Sequence, residues 1–248
     1  MIMRRERAER PKSRQLELEP VVKFAQPPRW GGKRAGAGRK RIAARAGVAH
    51  RTRAAHKGRH PVHVTLRAGR GLPSLRSQLI LAMLRGVLWN QRHRRYAGGF
   101  QVVEFSIQDN HLHLIVEAKG VDAQRMLRSG VSGLVIAFAR RLNVMLRRRG
   151  KVWGDRWHGR ELTSPREVRN TLVYVFRNVA HHGTKMIGDD VLDPLSSAPR
   201  FTGWTHAIQS AHNEGPWPDT PPRTWLLGAG WSTHGGGPIH PNEVKRPD

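Results

Sequence analysis

The sequence predicts an α+β fold: a ferredoxin-like, split-βαβ antiparallel sheet followed by an extra helix that carries a tyrosine. Segments with alternating apolar residues and segments with helical apolar spacing occur between residues 60 and 185 in the order β-α-β-β-α-β-α. Glycine, proline and serine stand between these segments, where turns and helix caps are expected. The chain has 248 residues and no cysteine, and a core of this size needs no disulfide bonds.

The first half of the predicted domain consists of a strand, a helix and a hairpin. Residues 60–67 alternate like a strand, and residues 74–95 have the spacing of an amphipathic helix with Ser74 as its N-cap. Residues 100–107 and 111–118 are two short strands, and the sequence QDN between them favours a hairpin turn. The hairpin makes these strands antiparallel neighbours.

The second half adds a long helix, a short extended segment and a final helix. The long helix is predicted over 122–149, and residues 151–161 form a strand or an extended loop. Ser164 opens the final helix, because Glu167 follows it at the spacing of a capping box. A glycine at position 183 ends this helix.

The charge divides the chain into three parts. The chain contains 44 Lys and Arg residues against 18 Asp and Glu, a net charge of +26. Residues 1–59 carry +14 and are predicted to form a disordered basic arm, because they offer little apolar surface. Residues 60–185 carry +15 and form the predicted domain. Residues 186–248 carry −3 and are predicted to form a Pro/Trp-rich, lightly structured extension across its surface.

This excess of positive charge indicates a polyanionic partner, with nucleic acid as the first candidate. Two groups of basic residues are candidates for contacts with a DNA backbone. The arm provides Lys33, Arg34, Arg39, Lys40 and Arg41, and the end of the long helix provides Arg140, Arg141, Arg147, Arg148 and Arg149. Each group also has a simpler interpretation, as a solubilising tail and as a solvated helix face respectively.

Several classes of protein are disfavoured by the composition. No apolar run approaches the length of a membrane span and no secretory signal is visible, so we expect no membrane partner and a cytoplasmic, nucleoid-associated location. The absence of cysteine excludes thiol nucleophiles and cysteine-based zinc sites.

Trp153 and Trp157 could stack on bases, but their position beside a predicted strand favours packing in the core.

Two histidines of the second hairpin strand are candidate metal ligands. Side chains alternate along a strand, so His111 and His113 lie on one face with an apolar residue between them. Two imidazoles on one face form a natural pair of metal ligands. The same pattern also occurs on ordinary strands, and the chain has 14 histidines, so the spacing alone leaves both interpretations open.

Tyr174 in the final helix is a candidate nucleophile. It is one of two tyrosines in the chain, and Asn178 lies four residues further on, on the same helix face. We expect Arg169, Arg177 and a bound cation to surround the phenol and to favour its ionised form, which attacks phosphodiesters. An amphipathic tyrosine at a helix–sheet interface is the alternative.

In their order along the chain, these motifs resemble the HUH single-tyrosine transposases. The strand HLHLIV, the downstream helix Y-x-x-x-N and the terminal HHG carry the resemblance, with GGKRAGAGRK in the arm and PRTWLL near the end as further matches. The similarity covers residues 31–231 and is closest to the REP-associated tyrosine transposases.

The resemblance implies a transposase or nickase that cleaves and rejoins single-stranded or hairpin DNA. It implies that Tyr174 is the nucleophile and forms a 5′-phosphotyrosine. It further implies that His111 and His113 bind Mg²⁺ or Mn²⁺, with Asn178 as the third ligand.

One position departs from the pattern of these relatives. They commonly read Asn-Pro-Val just after the tyrosine, whereas here Asn178 is followed by Val179 and Ala180. Because the proline is absent, His181 or His182 could replace Asn178 as the third ligand.

Other functions are compatible with the same residues. A catalytically inactive, domesticated protein of this fold would bind DNA or RNA without cleaving it; RNA is less favoured, because no strand has the aromatic-rich pattern of RNA-binding sheets. A zinc hydrolase would use His111, His113 and a third histidine, but it gives Tyr174 no role. The sequence leaves open whether the protein acts as a monomer or as a homodimer.

Overall fold

A four-stranded antiparallel sheet organises the part of the chain that the structure describes. The structure is a computed structural model and describes residues 55–92, 98–181, 192–206 and 220–243. The strands lie in the order β2-β3-β1-β4, which is the order of the predicted split-βαβ sheet. They are β1 (Val62–Arg67), β2 (Phe100–Ile107), β3 (His111–Ala118) and β4 (His158–Glu161).

Three helices complete the predicted order of elements. Helix α1 (Gln78–Arg92) connects β1 to β2, and helix α2 (Ala123–Met145) connects β3 to β4. Helix α3 (Pro165–His181) follows β4 and contains Tyr174. The predicted α+β class is confirmed. Across the described segments, no helix has the length and apolar character needed to cross a membrane.

One face of the sheet packs against α1 and α2. Side chains alternate along each strand, and the apolar set of β1 and β3 points to these helices. Burial of each such side chain contributes roughly 1.5–3 kcal/mol. The set comprises Val62, Val64, Leu66, Leu112, Leu114 and Val116, each at most 2% exposed. Trp153 and Trp157 belong to the same core at 7% and 8% exposure, so the prediction that both pack inside is confirmed.

The opposite face of the sheet is covered by α3 and by the segments that follow it. Ile115 of β3 packs there with Leu172 and Phe176 of α3. Trp231 and Ile239 from the C-terminal segments belong to the same cluster. The sheet is therefore the middle layer of three, and α3 lies on the side away from α1 and α2.

Helix α1 begins later than the sequence predicts. Ser77 caps it instead of Ser74: the hydroxyl of Ser77 accepts a hydrogen bond from the amide of Ile80 at 3.2 Å. The hydroxyl of Ser74 donates to the carboxylate of Asp109 at 2.7 Å, so this serine joins the loop before α1 to the hairpin turn.

Helix α2 begins as predicted and ends four residues early. The carboxylate of Asp122 caps it by accepting from the amide of Arg125 at 3.0 Å. After Met145 the chain leaves the helix, and Arg147 has a φ of 49°, in the left-handed region that interrupts helices. Arg147, Arg148 and Arg149 therefore lie in the loop after α2 and not in its last turn.

The start of α3 follows the predicted capping spacing. The hydroxyl of Ser164 accepts from the amide of Glu167 at 3.2 Å. The carboxylate of Glu167 turns back and accepts from the amide and hydroxyl of Thr163, both at 2.8 Å. In a standard capping box it would reach the amide of Ser164. The carboxylate of Glu167 thus binds Thr163, one residue before the position that the capping-box spacing predicts.

The segments after α3 cover the outer edge of β2. The carbonyl of Leu195 accepts from the amide of Ile107 at 2.9 Å. The hydroxyl of Thr220 donates to the carbonyl of Val102 at 2.6 Å. An exposed strand edge pairs readily with other chains, and these contacts protect β2 from such pairing.

Glu117, a buried carboxylate of β3, anchors the second of these segments. It is 1% exposed and accepts from the amides of Arg223 and Thr224, both at 2.8 Å. The hydroxyl of Thr224 and the side-chain amide of Gln101 each donate to it at 2.7 Å. Four donors offset the cost of removing this carboxylate from water. Glu117 therefore joins β3 to the start of the helical turn Leu226–Gly230.

The buried Asp193 and the partly buried Arg76 form an ion pair between the first C-terminal segment and the loop before α1. Asp193 is 0% exposed, and the guanidinium of Arg76 donates to its two oxygens at 2.9 and 3.0 Å. The amide of Leu195 also donates to Asp193 at 3.0 Å. The sequence predicts a lightly structured surface extension, whereas this part of it is held by an ion pair.

We expect Asp193→Ala to lower the free energy of unfolding by about 3–5 kcal/mol, because it leaves Arg76 without its buried partner. Urea denaturation followed by circular dichroism measures the loss. Arg76→Met and the double variant complete a double-mutant cycle. A double variant whose loss equals the sum of the two single losses would contradict the coupling.

Candidate functional site

A cavity of about 720 Å³ lies between the sheet and α3. It is formed by β1, β3, β4 and α3, together with the hairpin turn before β3. All of its lining side chains carry polar atoms, so the cavity suits a polar or charged ligand. They are His63, Thr65, Arg67, Asn110, His111, His113, His158, Arg160, Glu167, Asn170, Thr171 and Tyr174.

The register of the sheet brings the cavity histidines together. Strands β1 and β3 pair antiparallel, with Thr65 opposite His113 and Arg67 opposite His111. The rings of His111 and His113 have centroids 4.7 Å apart and stand at 87° to each other. The structure thus places the two candidate metal ligands side by side in one cavity.

Each of these two rings has a hydrogen-bonding partner at its Nδ1. The side-chain oxygen of Asn110 accepts from Nδ1 of His111 at 2.6 Å. Nδ1 of His113 lies 3.1 Å from Nε2 of His63 and 3.3 Å from the hydroxyl of Thr65. A neutral imidazole that donates from Nδ1 has its lone pair on Nε2, and metal-binding histidines typically donate their other N–H in this way. The two rings are therefore suited to provide two of the ligands of a divalent metal ion.

His63 is held in its uncharged form. Burial, together with the nearby His158 and Arg160, lowers the pKa of His63 from 6.5 to about 4. At neutral pH the ring therefore has one nitrogen that accepts a hydrogen bond. Its centroid lies 5.2 Å from that of His113, with the two rings stacked at 27°.

Helix α3 presents one polar face to the cavity. Glu167, Asn170, Thr171 and Tyr174 follow each other at the spacing of a single helix face and all line the cavity. The ring of Tyr174 meets His113 edge-on, with centroids 5.2 Å apart. The candidate nucleophile and the candidate metal ligands thus share one cavity, although they come from different elements.

Two arginines that the sequence does not single out line the cavity. Arg67 ends β1 and Arg160 lies on β4, and both are exposed. The guanidinium of Arg160 donates to Glu167 at 2.6 Å. Burial opposes ionisation of Glu167, but the hydrogen bonds from Arg160 and Thr163 outweigh it and lower the pKa of Glu167 to about 2. This ion pair ties β4 to the first turn of α3.

The expectation that Arg169 and Arg177 surround the phenol is wrong for Arg169 and stays a prediction for Arg177. Neither residue lines the cavity. Arg169 precedes Tyr174 by five residues, about 140° around the helix, and therefore points to another side. Its guanidinium forms an ion pair with Glu243 and donates to the carbonyl of Gly237 at 2.9 Å. Arg67 and Arg160 are the arginines that line the cavity.

Several predicted site residues lie outside what the structure describes. The backbone of Asn178 continues α3 one turn beyond Tyr174, but its side chain is outside the described residues. His182 and the arm residues Lys33, Arg34, Arg39, Lys40 and Arg41 are also outside, as is the side chain of His181. Within the described segments, no three imidazole or carboxylate groups are placed to share one metal ion, so no third histidine for a zinc hydrolase is found there.

The five arginines predicted at the end of the long helix do not line the cavity. Arg140 and Arg141 lie on α2, the helix that packs on the other face of the sheet. The guanidinium of Arg141 packs over Gly86 of α1. Arg147, Arg148 and Arg149 lie in the loop after α2. Their contact with DNA stays a prediction, separate from the cavity.

The lining residues of β1 were missed because this strand has the sequence pattern of an ordinary strand. His63, Thr65 and Arg67 occupy every second position of β1, which is a usable signal: three polar side chains share one strand face. That this face meets His111 and His113 depends on the pairing of β1 with β3, which spacing does not reveal.

The fold is similar to two solved transposase structures. One is a REP-associated tyrosine transposase bound to a REP hairpin, with 19% identity and a TM-score of 0.48, covering 61% of this chain and 84% of that chain. The other is "a putative transposase from Deinococcus radiodurans R1", with 15% identity and a TM-score of 0.34, covering 50% of this chain and 89% of that chain. Because both TM-scores lie below 0.5, the function proposed below rests on the cavity residues. No protein-family model matches the sequence, and the comparison with curated proteins gave no match.

We expect the metal-free protein to lose stability as the pH falls from 6.5 towards 4, partly through His63. In this range the unfolded chain binds a proton at His63 and the folded protein does not, so stability rises with pH by up to about 1.4 kcal/mol per pH unit from this residue. Urea denaturation at a series of pH values, with a chelator present, measures the slope. His63→Gln should flatten it, and the exposed His234→Gln should keep it. Equal slopes for His63→Gln and the wild type would contradict this account.

Proposed function

We propose that the protein cleaves and rejoins single-stranded or hairpin DNA, with Tyr174 as the nucleophile. The observation that carries this proposal is the convergence of Tyr174, His111 and His113 on one polar cavity. A phenol beside two candidate metal-binding imidazoles suits transesterification of a phosphodiester. The resemblance of the sequence to the HUH single-tyrosine transposases supports the same reaction.

In the proposed first step, the phenolic oxygen of Tyr174 attacks the phosphorus of a DNA phosphodiester. The phenol loses its proton as a bond forms between this oxygen and phosphorus, and the bond from phosphorus to the 3′-oxygen breaks. The 3′-oxygen leaves and takes up a proton, while the 5′ side stays on the protein as a phosphotyrosine. Attack by another 3′-hydroxyl reverses these changes and restores Tyr174. One phosphoester replaces another in each step, so no external energy source is required.

His111 and His113 are the residues that we propose to hold a divalent cation, Mg²⁺ or Mn²⁺. The side-chain oxygen of Asn110 accepts from Nδ1 of His111, so that the lone pair on Nε2 of His111 is suited to metal binding. When bound, such a cation acts as a Lewis acid on the phosphate oxygens. We propose Asn178 as a further ligand, since it follows Tyr174 by one helical turn.

Arg67 and Arg160 are the residues that we propose to bind the DNA backbone at the cavity. Both are exposed guanidinium groups on its lining, where they would pair with phosphates on either side of the cleaved bond. A cleft between a sheet and one helix admits a single strand more readily than a duplex. The proposed substrate is therefore single-stranded DNA or the unpaired part of a hairpin.

A non-catalytic DNA-binding protein is the second candidate, favoured by the net charge of +26 alone. It would bind the same DNA through the arm and the basic residues without forming a covalent bond. Either function would place the protein with the nucleoid in the cytoplasm. A homodimer is compatible with both.

We expect the wild-type protein to form a covalent adduct with hairpin-bearing single-stranded oligonucleotides in the presence of Mn²⁺ or Mg²⁺, and Tyr174→Phe to form none. Removal of the phenolic oxygen removes the atom that bonds to phosphorus. Denaturing gels detect the adduct, and mass spectrometry of the digested band locates the linked peptide.

The chain offers a matched control for this experiment. Tyr96 is its second tyrosine, and Tyr96→Phe should keep the adduct. His111→Ala should lose it, because one proposed ligand is gone. Tight hairpin binding without any adduct would overturn the enzymatic proposal and leave the non-catalytic binder. An adduct that persists in Tyr174→Phe would assign another nucleophile.

We expect Arg67→Gln and Arg160→Gln each to weaken hairpin binding by a similar factor for all DNA sequences. Each loss of a phosphate contact should lower the slope of log affinity against log salt by about 0.7. Fluorescence anisotropy over a range of salt concentrations measures both quantities. Arg166, exposed on α3 and outside the cavity lining, supplies the control: Arg166→Gln removes the same charge and should leave the slope unchanged. Equal slopes in all four proteins would exclude a role of the two cavity arginines.

A further inference from the structure

His63 lies next to the proposed ligand His113, on the neighbouring strand. We infer that His63 is a positioning residue: its Nε2 accepts a hydrogen bond from Nδ1 of His113 and so keeps the lone pair of His113 on Nε2. This inference rests on the proposed function, because it concerns the same metal site.

The register of the sheet sets this contact. Thr65 pairs directly with His113, and His63 pairs with Ile115, so His63 is the diagonal neighbour of His113 on the cavity face. Diagonal neighbours on antiparallel strands lie within reach of aromatic side chains. Here Nε2 of His63 lies 3.1 Å from Nδ1 of His113, and the two rings stack with centroids 5.2 Å apart.

Tyr174 limits the movement of both rings from the helix side. Its ring meets His113 edge-on with centroids 5.2 Å apart, and it meets His63 with centroids 5.9 Å apart. The ring of His113 is therefore confined by its neighbours on β1 and on α3. A ring confined in this way keeps the orientation that its Nδ1 hydrogen bond sets.

The two hydrogen-bonding partners of His113 differ in whether they determine which of its ring nitrogens carries the proton. The hydroxyl of Thr65, 3.3 Å from Nδ1, both donates and accepts, so it is compatible with a proton on either nitrogen of His113. A neutral His63 whose Nε2 carries the lone pair only accepts, and it therefore pairs only with a protonated Nδ1. When the proton of His63 is on its own Nδ1, His63 fixes the proton of His113 on Nδ1, whereas Thr65 does not.

The other proposed ligand has a partner of the same kind. The side-chain oxygen of Asn110 accepts from Nδ1 of His111 at 2.6 Å. An amide oxygen cannot donate, so it also selects a protonated Nδ1. Each of the two proposed histidine ligands therefore has one acceptor at its Nδ1. The hairpin turn supplies it for His111, and β1 supplies it for His113.

The first test measures the tautomer of His113 without any metal. Nitrogen-15 NMR of the metal-free protein should show His113 protonated at Nδ1, with the signals assigned through His113→Gln. In His63→Ala the population should shift towards protonation at Nε2, whereas His63→Gln can place its amide oxygen beside Nδ1 and should restore the wild-type form in part. Thr65→Val should leave the tautomer unchanged. A wild-type His113 protonated at Nε2 would overturn the inference, because Nε2 of His63 would then be the donor.

The second test measures metal binding separately from cleavage. Titration with Mn²⁺ followed by electron paramagnetic resonance should give an affinity about 10–100-fold weaker for His63→Ala, with partial recovery in His63→Gln. Circular dichroism and thermal unfolding of each variant identify any loss of fold. An affinity of folded His63→Ala equal to that of the wild type would overturn the inference. If His111→Ala binds Mn²⁺ as tightly as the wild type, the proposed metal site itself fails, which distinguishes the two failures.

Discussion

The alternation of side chains along β3 is the constraint on which the rest of the structure depends. Leu112, Leu114 and Val116 face α1 and α2, while His111 and His113 face the cavity. A shift of this strand by one residue would exchange the two sets, burying imidazoles in the apolar core and placing leucines in the cavity. The packing that stabilises the sheet therefore also fixes the side on which the histidines lie.

Local sequence patterns predicted the helices and strands well. They did not predict which residues form the cavity, because that depends on strand pairing between distant parts of the chain. The two hairpin strands match their predicted residues because apolar alternation is a property of neighbours along the chain. His63 and Arg160 join the cavity only through the pairing of β1 with β3 and β4, which no short segment encodes. The burial of Asp193 depends equally on a distant partner, Arg76. The arm and the side chain of Asn178 lie outside the described residues, so their roles stay predictions.

The protein carries a strong positive charge, yet His63 in its cavity is uncharged. A net charge of +26 attracts polyanions over long distances and needs no fixed geometry. Metal binding by histidine requires the opposite condition, an unprotonated ring. Burial and neighbouring positive charge keep His63 in that state. The positive charge of Arg160, which we propose to bind DNA, thus also disfavours protonation of His63.

The separation of the cavity residues along the chain sets an order in time during protein synthesis. His63 is made first, His111 and His113 follow, and Tyr174 comes about 110 residues after His63. At typical rates of translation, roughly 5–20 s pass between the first and the last of these residues. A nascent chain therefore carries the basic arm and both proposed histidine ligands before it contains Tyr174. Under the proposed function, an incomplete chain held at the ribosome could bind DNA but could not cut it.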